Sequence, residues 1–399
     1  MKTEIIRENI KAAAKLIQSG ELVAVPTETV YGLAGNGLDE KAVEQIYEVK
    51  GRPQVKPLAL MVPDSDAMDK YCEDVPCQAK TLAEKFWPGP LSIVLKSKSI
   101  VPDIVRAGGD TVSLRCPKHE LTLELLREAR LPLAAPSANP SGEESPKNAE
   151  RVMQYFDGQI AAVIDGGECG IGTESTIIDM SRTPYKILRQ GALPEAEIKA
   201  ALKEKLKIIG ITGGTGGGKT TVLKELKKLG ALIIDCDELY HEMLRSNAVL
   251  LSDIESEFSG VVIGGSLDRK ALGSRVFADP EALLKLNEIT HRHITAEVER
   301  LLDDWAMNGG ELAAIDAIAL VESGIGEKCD AVIGVLSKRE TRIERIMQRD
   351  NISREYAEKR VDAQKSNAFF EENCDRIIRN DGTKDEFINN IKNTLKEVI

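Results

Sequence analysis

At 399 residues the chain is long enough for two or three domains, each burying a core of its own. Its 42% apolar and 29% charged residues are ordinary for a soluble globular protein. A net charge of -11, no Lys/Arg cluster and only 4% aromatics argue against a bulk electrostatic or stacking grip on nucleic acid, while leaving room for a local basic pocket around a small anion.

The opening stretch MKTEIIRENIKAAAKLIQSG alternates charged and apolar residues as an amphipathic helix does. It lacks the apolar core of a secretory leader, and no run reaches membrane-spanning length, so a soluble cytoplasmic protein without membrane contact is expected. From there the segments alternate in the α/β manner. Residues 22–25 read as a short strand ending at Pro26, and residues 41–50 as a helix with Val43, Ile46 and Tyr47 on one face. Residues 91–95, 112–114, 131–135, 161–164 and 177–179 are further strand candidates, with a helix over 119–129. After Pro194, PEAEIKAALKEKLK is a helix of good formers, and a strand over 207–211 follows directly. The domain boundary is therefore placed near residue 206, giving domains 1–206 and 207–399 with no Gly/Ser tether between them. Seven scattered cysteines, with no C-x-x-C pair, read as reduced thiols.

Four stretches of the first half carry polar groups in patterns that suggest chemistry. PTETVYGL (26–33) packs hydroxyls and a carboxylate into a strand-end turn, and Lys50, Arg52 and Lys56 gather three cations in seven residues. PSANPSG (136–142) is a rigid turn of small polar groups, and GIGTEST (170–176) is a polar loop entering a strand. Each alone is equally a turn or a helix cap, and Lys50 and Arg52 equally suit a helix C-terminus. His119 is the only histidine of this half, so no Ser–His–Asp or Cys–His nucleophile is available. Positioning and charge neutralisation are the expected mode of action.

Seven blocks in order, PTETVYGLA, IYEVKGRP–KPLAL, FWPGPLSIVLK, TVSLRCP, LPLAAPSANPSG, GTESTIID and ILRQGA, resemble the YrdC-type threonylcarbamoyl-AMP synthase family over residues 7–200. The resemblance implies a twisted open α/β sheet and a reaction joining L-threonine, bicarbonate and ATP into threonylcarbamoyl-AMP and pyrophosphate. The product would serve a tRNA-modifying threonylcarbamoyl transferase complex downstream. It further implies that Arg52, Lys56, Thr111, Ser137, Asn139, Ser145 and Arg189 hold ATP, and that Thr29, Arg115 and Ser175 hold threonine. Lys50 and Arg52 are the expected catalytic cations, and Arg115 suits a bidentate grip on a carboxylate. Met61 stands where many members have a polar residue, and Ser145-Pro146-Lys147 replaces the usual Ser-Pro-Thr.

The second half opens with KIIGITGGTGGGKTTVLKELKKLGALIIDCD, which reads strand, glycine loop, helix, strand. Gly213, Gly218, Lys219 and Thr220 satisfy G-x-x-x-x-G-K-[ST]. Gly213, Gly214, Thr215, Gly216, Gly217 and Gly218 would aim backbone N–H groups at the phosphates of ATP, and the helix from Lys219 through Thr220 and Thr221 adds its positive end. Lys219 reaches the terminal phosphates and the Thr220 hydroxyl meets Mg²⁺. Asp235 and Asp237 stand at the end of the next strand, where a carboxylate accepts a proton or simply caps a helix.

Beyond the loop, IIDCDELYHEML, GSLDRKALGSRVFAD, ITHRHI, the R-x-x-x-R and R-x-x-x-Q spacings and IIRNDG resemble the dephospho-CoA kinase family across residues 207–399. This implies a P-loop, doubly wound parallel-sheet kinase with helical substrate and lid regions, phosphorylating the ribose 3′-hydroxyl of dephospho-CoA. Thr212 and Asp237 match the family's catalytic hydroxyl and carboxylate, and Arg349 its phosphate-clamping lid arginine. Arg342, Arg345 and Arg349 recur at helical spacing, giving one basic face, whose plain alternative is a solvated helix. In IDAIALVES, Ile318 stands for the family's proline and Val321 for its aromatic residue. The alternative reading is an RNA-binding domain joined to a P-loop kinase of another small metabolite.

Overall fold

The computed structural model describes residues 2–399. Contacts divide the chain into two units, residues 1–204 with 307–309, and residues 205–306 with 310–399.

The first unit is built on a ten-stranded mixed sheet. Its strands are β1 (Glu4–Ile6), β2 (Val23–Val25), β3 (Gly32–Asn36), β4 (Ala59–Met61) and β5 (Leu91–Lys96), then β6 (Thr111–Arg115), β7 (Leu133–Ala134), β8 (Ala162–Ile164), β9 (Thr176–Asp179) and β10 (Lys186–Arg189). Their order is β1-β8-β2-β3-β7-β4-β6-β5-β9-β10, open at both edges. The N-terminal stretch does not form one helix. Glu4–Ile6 instead pairs in parallel with β8, and the helix Ile10–Gln18 starts only where the Asn9 side chain accepts from Ala12 N. Consecutive β-branched residues favour the strand, and Asn9 supplies the cap that separates it from the helix. Ile10, Ala13, Ala14 and Ile17 then face one core at i, i+3, i+4 and i+7, together with Val23 and Val25 of β2 and Leu125 and Leu126 of the helix Glu120–Ala129.

In the second unit β11 (Lys207–Thr212), β12 (Leu232–Asp235), β15 (Leu312–Asp316), β16 (Ala331–Leu336) and β17 (Arg376–Arg379) form a sheet ordered β12-β15-β11-β16-β17. Every pair in it is parallel. A small hairpin of β13 (Val262–Ile263) and β14 (Ser266–Leu267) lies apart. The period of two along each strand gives the sheet two cores. Ile208, Ala313 and Ile315 enter the core shared with the helical region over residues 236–302. Ile209, Ile211, Leu312 and Ala314 enter the other, against Val222, Leu226, Phe387 and Ile391. Both faces are covered, as a parallel sheet requires. Strand order reverses at β11, so the glycine loop leaves the sheet at the switch point where such folds bind ligands.

Candidate functional sites

In the first unit a cavity of about 170 Å³ opens over the ends of the central strands. Arg52, Arg115, Ser137, Ser175 and Arg189 line it, with Glu174, Ser92, Met61 and the backbone around Gly32 and Pro136. Thr29, Lys50, Asn139 and Ser145 stand behind the wall and act on residues that line it. Lys56 is exposed and Thr111 heads β6; neither lines the cavity.

Lys50 ends the helix Glu40–Lys50 and is 3% exposed. Its ammonium donates to the carbonyls of Ser137 and Asn139, which fixes the PSAN turn. Burial, then the neighbouring Arg52, bring its pKa down to about 8. Asn139 Nδ2 donates to the carbonyls of Pro140 and Glu143 at 2.9 and 2.7 Å, while its buried Oδ1 has no hydrogen-bond partner.

Arg115 is nearly buried and tightly held. Its Nη2 donates to Glu28 Oε1 and to Thr29 Oγ1, both at 2.8 Å, and its Nε points at the Gly89 carbonyl at 3.4 Å. The Nε–Nη2 edge, which a side-on bidentate grip on a carboxylate would use, is thus engaged inside the protein. Glu28 Oε2 also accepts from Lys118 N at 2.9 Å, which locks the carboxylate behind Arg115. Ser175 Oγ is 2.9 Å from Ser92 Oγ. Arg189 donates to the Ser175 carbonyl through Nε and Nη2, at 3.1 and 2.8 Å, and pairs through Nη1 with Glu174. Ser145 Oγ donates to the same Glu174 carboxylate at 3.1 Å.

In the second unit the glycine loop joins β11 to the helix Lys219–Lys228. Gly213 has φ +127°, and a Cβ there would come within 2.4 Å of the Val335 carbonyl, so no other residue fits. Thr220 is exposed in the first helical turn, and Lys219 Nζ donates to the Gly213 carbonyl at 3.2 Å. The Thr212 hydroxyl is buried and donates to the Ile318 carbonyl at 3.1 Å, pinning the turn that follows β15. Asp235 caps the helix Cys236–Ser246, accepting from Asp237 N and Glu238 N at 3.0 Å each. That leaves the Asp237 carboxylate exposed at the strand ends.

Asp316 closes β15 beside the loop and was not singled out by sequence. Its Oδ1 is buried without a hydrogen bond, 3.8 Å from Lys219 Nζ. Burial pushes its pKa up to about 6, with Lys219 opposing and Asp235 and Asp237 adding to the rise. A buried carboxylate oxygen with no donor, beside the P-loop lysine, fits a hard divalent cation.

The basic lid face divides by task. On the helix Arg339–Asp350, Arg342 donates through Nε to Thr215 O at 2.9 Å. Arg345 donates to Gly216 O at 3.1 Å and to Ser337 Oγ at 3.0 Å. Both brace the glycine loop from outside. Gln364 Oε1 accepts from Thr215 N at 2.9 Å, its Nε2 donates to Thr215 Oγ1 at 2.7 Å, and Asn380 Nδ2 donates to Gly217 O at 2.9 Å. Arg349 alone stays exposed; it is paired with Asp350, whose pKa it holds, with Arg360, at about 2.

The first unit therefore presents an arginine-lined cavity for an anionic ligand, and the second a P-loop nucleotide site. Comparison with known proteins agrees. The Sua5/YciO/YrdC family model, described as telomere recombination, matches residues 15–191, and the dephospho-CoA kinase model matches residues 207–386. Threonylcarbamoyl-AMP synthase of Pyrococcus abyssi is 47% identical over 195 residues, 49% of this chain and 57% of the relative. A Methanocaldococcus jannaschii protein, provisionally named for the same activity, is 38% identical over 180 residues, 45% of this chain and 84% of its own length. Dephospho-CoA kinase of Geobacter sulfurreducens is 39% identical over 186 residues, 45% of this chain and 93% of that relative. The chain belongs to the threonylcarbamoyl-AMP synthase family through its first half and to the dephospho-CoA kinase family through its second. It spans little more than half the length of the Pyrococcus relative.

Proposed function

We propose that the chain is a bifunctional enzyme. The first unit makes threonylcarbamoyl-AMP and pyrophosphate from L-threonine, bicarbonate and ATP, and the second phosphorylates the 3′-hydroxyl of dephospho-CoA with ATP. The observation that carries the first reading is the convergence of Arg52, Arg115 and Arg189 with Ser137 and Ser175 on one cavity. Arg115, neutralised by Glu28, meets the threonine carboxylate, with Thr29 and Ser175 close by. Arg52 and Arg189 face the triphosphate, and Lys50 acts by holding the Ser137–Asn139 turn in place. Threonine's uncharged amine attacks the carbon of bicarbonate and expels one of its oxygens as water, leaving an N-carboxylate, whose oxygen then attacks the α-phosphorus as the bond from that phosphorus to pyrophosphate breaks. Arginines then stabilise the charge that gathers on the departing pyrophosphate. Lys56 and Thr111 would join the ATP site only if their segments move toward the cavity.

In the second unit Asp237 accepts the ribose hydroxyl proton, while Lys219 and Arg349 draw charge from the transferring phosphoryl group. Thr220 and Asp316 would hold Mg²⁺, which when bound offsets charge on the β- and γ-phosphates. Thr212 positions the turn at Ile318. These substrates place both reactions in the cytoplasm, with a tRNA-modifying transferase complex as consumer of the first product. Pyrophosphate release from ATP that requires both threonine and bicarbonate tests the synthase reading, and release indifferent to threonine overturns it.

A further inference from the structure

Of the cavity's groups, Glu174 is the one whose charge is wrong for the ligand. It lines the cavity alongside Arg52 and Arg189, and its negative field is felt by Lys50 and Arg52 as well. Its carboxylate pairs with Arg189 and accepts from Ser145 Oγ. Both of those residues are assigned above to ATP. Arg189 does not need this carboxylate for its orientation, because Nε and Nη2 already donate to the Ser175 carbonyl at 3.1 and 2.8 Å. The pair is also open to solvent, with side-chain exposures of 40% and 37%, so it adds little to stability and is easily exchanged.

Resting on the synthase reading, we infer that Glu174 occupies the place of one phosphate: it keeps Arg189 and Ser145 paired in the free site, yields them to the incoming polyphosphate, and takes them back as pyrophosphate departs. The carboxylate thereby sets how much negative charge a ligand must bring. The exchange applies alike to ATP arriving and to pyrophosphate departing, so the carboxylate weakens both.

The test uses the full chain carrying Glu174→Gln or Glu174→Ala, with threonine- and bicarbonate-dependent threonylcarbamoyl-AMP formation as readout. Both variants lower the KM for ATP and the inhibition constant for pyrophosphate about 2- to 5-fold, the range of a solvent-exposed ion pair. The turnover number changes less and in the downward direction, because product is held longer. If Glu174→Ala raises the KM for ATP while Glu174→Gln leaves it unchanged, Glu174 only braces its loop and the inference is wrong. If both raise it and the Mg²⁺ requirement climbs, the carboxylate is a metal ligand and the inference is equally wrong. Calorimetric titration with pyrophosphate, in a Lys219→Ala background that weakens the P-loop, reads the same exchange without turnover. Tighter binding in Glu174→Gln supports the exchange even if no threonylcarbamoyl-AMP forms, and unchanged or weaker binding refutes it.

Discussion

Replacing Asp316 by asparagine separates stability from catalysis in the kinase unit. The Asp316 carboxyl sits at about 6 in the folded protein against 3.8 ordinarily, chiefly because it is buried. A carboxyl raised in the fold ionises first in the unfolded chain, so folding loses stability as pH rises from about 4 to about 6 and stays reduced above that. A shift of about 2 units corresponds to a cost of about 3 kcal/mol above pH 7, and about 1.5 kcal/mol near pH 5. The substituted asparagine carries no charge at either pH and keeps the shape. The gain of D316N over wild type should therefore be larger near pH 7.5 than near pH 5, by on the order of 1 kcal/mol. The chain's two tryptophans, Trp87 and Trp305, fall one in each unit, so a Trp87→Phe background leaves Trp305 to report denaturant unfolding of the kinase unit alone. The same substitution of Asp316 should abolish dephospho-CoA phosphorylation and leave threonine-dependent pyrophosphate release unchanged. A D316N protein that is less stable than wild type, and no better at pH 7.5 than at pH 5, refutes the account of a strained, cation-seeking carboxylate.

Asp237→Asn should abolish phosphorylation of dephospho-CoA while pyrophosphate release persists; loss of both would contradict two independent sites. Arg115→Lys cannot bridge Glu28 and Thr29 as the guanidinium does, so the KM for threonine should rise about 10-fold or more with the KM for ATP little changed, as read by initial rates. Lys50→Met strips the donor from two carbonyls and should cost about 2 to 3 kcal/mol and most synthase activity, measured by unfolding followed through Trp87 and by product formation. Gln364→Ala frees the Thr215 N–H and hydroxyl, and should raise the kinase KM for ATP several-fold with a smaller change in turnover number. Restoration by Gln364→Asn, whose amide is one carbon shorter, is not expected.

Periodicity revealed most elements because the signal is local. The strand over residues 207–211, the helix after Gly218 and the helix Glu40–Lys50 all lie where apolar spacing and capping residues put them. The N-terminal strand Glu4–Ile6 escaped notice because what holds it is β8, about 160 residues away in sequence. The strand expected over 131–135 shortened to Leu133–Ala134 for a related reason: its length is set by the partners β3 and β4. Motifs pointed to Arg52, Arg115, Ser137, Ser175 and Arg189, which share the cavity, and also to Lys56 and Thr111, which do not line it, and they say nothing of what each side chain touches. Arg342 and Arg345 share a helical face with Arg349, yet what they touch is the glycine loop's carbonyls, a long-range fact with no local signature. Asp316 lies inside the IDAIALVES segment, and only its burial beside Lys219 distinguishes it from any other strand-end residue. Glu28 and Glu174 lay inside PTETVYGLA and GTESTIID, where an acid looks out of place in an anion site until its arginine is seen.

That pairing recurs in both units and has one physical origin. A cluster of cations assembled for a polyanion repels itself when the ligand is away, and each unpaired guanidinium also has side-chain entropy to lose on binding. Glu28 beside Arg115, Glu174 beside Arg189, Asp316 near Lys219 and Asp350 beside Arg349 each relieve that repulsion in the free protein. Each carboxylate also weakens the ligand, because its cation must be shared or surrendered. The four differ in how readily they release. Glu28 is buried and hydrogen-bonded to Arg115, so it holds that cation in place, whereas Asp316 stands 3.8 Å from Lys219 with its Oδ1 unbonded. Glu174 and Asp350 hold partially or fully exposed arginines, and these pairs exchange at little cost. In the first unit, then, one arginine is fixed by a buried carboxylate and another is held by a solvent-exposed one.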